Sequence, residues 1–143
     1  MITTEEIAQR AYQLLTAAVT AHTLTISGVV DYERTDYSKE DVIIVPHTSD
    51  GEASLRFGQI NVNIHVPDLT LTDPGTGKPL FRIDYKRLTE IRAQVIAVLQ
   101  NYVEPGSGWN WYIGRLNPAI KEQGHNEHFM SVALQLVIRE KNK

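Results

Sequence analysis

Apolar and polar residues alternate most cleanly in "GQINVNIHVPD", where Ile60, Val62, Ile64 and Val66 hold one phase and Asn61, Asn63 and His65 the other. A period of two predicts a strand with one face in a core and the other polar. "EHFMSVALQLVIREK" repeats the pattern, with Met130, Val132, Leu134, Leu136 and Ile138 in one phase and Ser131, Ala133 and Gln135 in the other. Between these two strands the period changes. In "DYKRLTEIRAQVIAVLQNYV", Leu88, Ile91, Val95, Val98, Leu99 and Tyr102 fall on one helical stripe, Asp84 is placed to cap the helix, and "EPGSG" is expected to stop it. The opening "TTEEIAQRAYQLLTAAV" has the same helical spacing in Ile7, Ala11, Leu14, Leu15, Ala18 and Val19. Thr3 and Glu6 form a candidate capping box at its start, and the helix should end near Thr20.

The weaker signals fill in the rest. β-Branched runs at Leu24 to Val30 and Val42 to Val45 predict two further strands, the second ending at Pro46. "HTSDGEAS" reads as a turn, and Gly58, where Leu55 and Phe57 lie out of phase with Ile60, marks a bulge or bend. "PDLTLTDPGTGKPLFRI" is expected to be a long loop. Its Leu69, Leu71, Leu80 and Phe81 make it less polar than a free linker, so it should pack onto something, a neighbouring subunit being one candidate. "WNWYIG" predicts a short strand with Trp109 and Trp111 on one face, in the core or at a subunit interface. "RLNPAIKEQGHNE" reads as an irregular connector broken by Pro118 and Gly124. These elements together predict a single α+β domain, a mostly antiparallel sheet with two helices on one face, in the order α-β-β-β-α-β-β. The preferred strand contact is between the central and last strands.

Composition narrows the function. At 143 residues the chain is one domain in size, and its formal charge of -3 with scattered lysines and arginines gives no footprint for nucleic acid or a membrane surface. Without cysteine there is no disulfide, thiolate metal site or thiol nucleophile. "MITTEEIAQR" lacks the basic and apolar start of a secretory leader, so cytosolic synthesis is expected.

Candidate chemistry is sparse. "DPGTGK" resembles a phosphate loop, but Thr72 stands where the pattern needs its first glycine and Pro79 where it needs Ser or Thr. His125 and His128 could share a metal only on a helix, which Gly124 and the strand pattern after it oppose, and no third ligand lies nearby. His65 belongs to a polar sheet face. No serine sits in a nucleophile elbow. Asp31, Glu33, Asp36, Glu40 and Asp41, relieved by Arg34 and Lys39, read as a solvated charged loop. No catalytic, cofactor or metal residue is assigned, and the chain is not expected to be an enzyme. The alternative is a small α+β ligand-binding or hydrolytic domain using His65, His125 or His128 in a pocket beneath the long loop.

The element order resembles the tail terminator, or tail completion, family of long-tailed bacteriophages and prophages. "GVVDYERTDYSKEDVIIVP" is similar to that family's early strand, loop and strand; "GQINVNIHVPD" to its central strand; "YKRLTEIRAQVIAVL" to the helix after it; and "EHFMSVALQLVIRE" to its last strand. The resemblance spans nearly the whole chain, with the Pro67 to Ile83 loop and the "RLNPAIKEQGHNE" segment as elaborations. It implies a virion structural protein of the tail or neck, assembled in the host cytoplasm. It further implies no enzyme activity, a ring-shaped homo-oligomer, usually a hexamer, and contacts to the tail tube protein and a neck or head-completion protein. Asn61, Asn63 and His65 on the polar face, with Leu69 and Leu71 of the loop, are the expected subunit contacts.

Overall fold

The structure, a computed structural model, describes residues 4–46, 59–106 and 109–138. Thr3 of the capping box, the turn at "HTSDGEAS" and the bend at Gly58 lie outside the described residues. Helix α1 spans Thr4–Thr20 and buries Ile7, Ala8, Ala11, Leu15 and Ala18, the stripe its spacing predicts. Helix α2 spans Tyr85–Leu99 and buries Leu88, Ile91, Val95 and Leu99. The Asp84 carboxylate accepts the Arg87 N–H at its start, as expected of a cap. It ends earlier than expected, because Gln100 is extended and Asn101 turns into the left-handed region at φ 59° before the glycines are reached.

Among the described residues six strands form the main sheet, in the spatial order β1, β2, β3, β8, β6, with β7 beside β8. Their bounds are β1 Val30–Asp31, β2 Asp41–Pro46, β3 Gln59–Pro67, β6 Trp109–Leu116, β7 Ile120–Lys121 and β8 Glu127–Ile138. The central and last strands pair antiparallel as expected, Ile60 opposite Leu134, Val62 opposite Val132 and Ile64 opposite Met130. Alternation then puts Val42 and Ile44, Ile60, Val62 and Ile64, Met130, Val132, Leu134 and Leu136, and both tryptophans on one face. Both helices cover that face, α1 over β2 and β3 and α2 over β3 and β8. Each fully buried aliphatic side chain contributes roughly 1.5–3 kcal/mol of transfer free energy. Trp111 is sealed in, and its indole N–H donates to the Leu99 carbonyl at 2.6 Å, so the end of α2 is tied to β6. The fold is the expected α+β class with two helices on one sheet face.

Three expectations change. Leu24 to Val29 is not a strand, because α1 closes with His22 left-handed at φ 62° and the Thr23 N–H returning to the Ala18 carbonyl. Leu24 drops into the core directly after that closure. The Pro67 to Ile83 segment is mainly a β-hairpin, β4 Leu69–Thr72 paired with β5 Pro79–Arg82. Its polar "DPGTGK" forms the turn. The Asp73 carboxylate accepts the Gly75 N–H and the Thr76 hydroxyl, the Asp73 N–H reaches the Lys78 carbonyl, and Gly77 takes φ 70°. The Gly75 and Thr76 bonds hold the Asp73 carboxyl below the usual carboxylate range. Finally, the connector after β6 is partly ordered: β6 runs on to Leu116, and Ile120–Lys121 pairs with Phe129 and His128.

Candidate functional site

The sheet face away from the helices carries the polar phase of each strand. Along it Gln135 donates to Gln59 at 2.8 Å, Gln59 to Asn61 at 3.1 Å, and the Ser131 hydroxyl to Asn63 at 2.6 Å. Asn61 and Asn63 are half-buried in this amide ladder, while His65, at the end nearest the hairpin, is buried. There the face becomes ionic. Asp41, His65 and Phe129 lie in register across three strands, and Glu127 sits diagonally from His65 on the same face. Arg34 lies over them. Its Nε and Nη2 donate to the two Glu127 oxygens, and its Nη1 donates to Asp41 and to the Lys39 carbonyl.

Burial makes this network consequential. The Arg34 side chain is 7% exposed, Asp41 2% and Glu127 0%. Burial alone would lower the Arg34 pKa, but hydrogen bonds and charge from Glu127 and Asp41 outweigh it and hold the value raised. With its proton on Nδ1, neutral His65 donates to Glu127 at 3.1 Å and stacks on Phe129 at 5.0 Å. Its pKa is lowered, chiefly by desolvation, against the pull of Glu127. Tyr37 lies 5.2 Å over the guanidinium and stacks on His125 at 3.5 Å. The segment between β1 and β2 is thereby clamped to the sheet.

This corrects the reading of a solvated charged loop for Glu40 and Asp41, while Glu33 and Asp36 stay exposed as expected. Asp41 is a buried strand residue paired with Arg34, and Glu40 is bound by Arg87 of α2 through Nε at 2.5 Å and Nη2 at 2.9 Å. Glu127 was missed because its partner lies 93 residues away in sequence. One signal was present for Asp41, which shares the strand phase of Ile43 and Val45.

Chemically the cluster is a lock. Each carboxylate is engaged by the buried guanidinium, so the cluster ties the β1–β2 segment to β2 and β8. His65, Glu122 and Glu127 offer donor atoms within 4.8 Å of one another. Both Glu127 oxygens already accept from Arg34, so the guanidinium fills the place a cation would need, and the donor set does not fit a metal. Neither His125 nor His128 joins it. His128 is on the opposite strand phase and pairs with Asp68 at 2.6 Å, while His125 packs flat on Tyr37.

The Asp68–His128 pair, with the Asp68 N–H on the Asn126 carbonyl at 2.8 Å, fastens the root of the hairpin to the start of β8. Beyond that root β4 and β5 pack on each other and, among the described residues, on no other strand or helix to a comparable degree. Cross-strand pairing of Leu69 with Arg82 and Leu71 with Leu80 puts three leucines and an arginine on one face. Leu69 is 45% and Leu71 48% exposed. Of the residues expected at subunit contacts, these two therefore project into solvent, and Asn61, Asn63 and His65 lie within the sheet face. No protein-family model matches the chain, and no curated protein matches it. No helix among the described residues is long and apolar enough to cross a membrane.

Proposed function

We propose that the chain is a structural protein of a phage or prophage tail, which closes the tail tube and helps join it to the head by assembling into a ring of identical copies, with six expected. The observation that carries this reading is the anchored hairpin, a two-stranded arm with an exposed leucine face. An unsupported hairpin is marginal in water, and apolar faces of this kind mark contact sites. The element order, similar to that of tail terminators, points the same way, and the Arg34 lock suits a rigid building block. Partners on this reading are further copies of the chain, the tail tube protein and a neck or head-completion protein; its place is the virion, after assembly in the host cytoplasm. The hydrolytic reading draws less support, since the three histidines it would use have separate partners.

Negative-stain imaging of the purified chain mixed with tail tubes tests the proposal. Rings seated on tube ends are expected. Bare tubes alongside the protein at micromolar concentration would overturn it.

A further inference from the structure

The hairpin has a complement elsewhere on the chain. A groove of about 390 Å³ lies where the first turns of α1 pass β2, with Ala8, Ile44, Val45 and Pro46 as its apolar floor and Glu5 and Glu33 on its rim. Beside it the sheet edge is only partly covered, since among the described residues β1 pairs with Val42 and Ile43 alone and stops short of residues 44–46. The hairpin offers the opposite chemistry, Leu69, Leu71 and Leu80 beside Arg82, with Lys78 near the tip. Neither Arg82 nor Glu33 has an ion-pair partner among the described residues.

Placement decides who can fill the groove. β2 and β3 are antiparallel, Asp41 opposite His65 at the hairpin end and Pro46 opposite Ile60 at the other, so five residues of strand, about 17 Å, separate the hairpin root from the floor at Pro46. The two surfaces face opposite ends of the sheet and suit two different copies. A contact between unlike patches is heterologous, and it closes into a ring when its rotation permits.

We propose that the β4–β5 hairpin of one copy docks in the α1–β2 groove of the next, its leucine face on the apolar floor and Arg82 against Glu33 or Glu5. This deepens the ring-assembly reading and rests on it. Opposite charges then fix the register of the contact, and the apolar face supplies most of the buried area.

The cysteine-free sequence makes a direct test practical. Leu71→Cys and Gln9→Cys, the latter lining the groove, are made as separate full-length variants, mixed, and oxidised. A disulfide between positions 9 and 71, found by peptide mass spectrometry, is the expected result. In parallel, Arg82→Glu or Glu33→Arg should each weaken self-association about tenfold or more, and the two together should restore it. If the protein forms oligomers with neither the 9–71 linkage nor the charge-swap rescue, the hairpin–groove contact is wrong and ring assembly stands. If the wild-type chain stays monomeric throughout, both fall.

Discussion

Arg34→Met removes one cation from two carboxylates that are almost wholly out of water. The two losses differ, because Glu127 keeps His65 at 3.1 Å as a hydrogen-bond partner. Asp41 has no second cation among the described residues and keeps only the Val29 N–H at 2.7 Å. Breaking a buried pair by removing one partner costs about 3–5 kcal/mol. With an unfolding entropy of about 2.1 cal/mol/K per residue, 143 residues give roughly 0.30 kcal/mol/K. The Tm of Arg34→Met should therefore fall by about 10–17 °C. Adding Asp41→Asn should recover part of the loss. Denaturant melts of the two proteins check this, and a defect under about 1 kcal/mol would refute the lock.

Trp111→Phe leaves the Leu99 carbonyl without its indole donor and empties part of a filled site, so a loss of about 2–4 kcal/mol is expected in chemical denaturation, with looser packing seen by near-UV circular dichroism. Gly28→Ala would bring a methyl group to 1.8 Å from Asp41 Oδ1 and 2.5 Å from the Glu40 carbonyl, so Asp41 must shift from its Val29 N–H bond, and a melt should show a loss of about 2 kcal/mol or more. His65 is neutral in the fold and has a lowered pKa, so the unfolded chain binds more protons below its ordinary value of 6.5 and stability falls as the pH drops below it until the folded pKa is reached. The difference in Tm between wild type and His65→Asn, followed from pH 7.5 to 5, should therefore shift against the wild type in acid; a constant difference would show that His65 does not titrate this way.

What could be read from the sequence followed from period and length. The nine residues of β3 and twelve of β8 repeat their pattern often enough to fix type, inner face and pairing partner. The two helical stripes are equally plain. Four-residue β4 and β5 read as loop because "LTLT" and "PLFR" are too short to announce strands, although alternation and turn chemistry are both present. Leu24 to Val29 misled in the opposite sense, its β-branched content outweighed by the helix closure at His22. The Arg34–Asp41–Glu127–His65 cluster joins residues up to 93 positions apart, a proximity that only the strand order creates. Leu69 and Leu71 were recognisable as unusual loop leucines; the groove that complements them depends on how α1 crosses β2.

A ring of identical copies has a fixed mass in solution, and that mass can be weighed on the free protein. Mass photometry or light scattering across the micromolar range should give one closed species at a fixed multiple of the 16.1 kDa chain, six being expected, and Leu71→Glu should shift it toward monomer without changing its Tm by more than a few degrees. A single 16.1 kDa species at every concentration, with or without tail tubes, would contradict ring assembly.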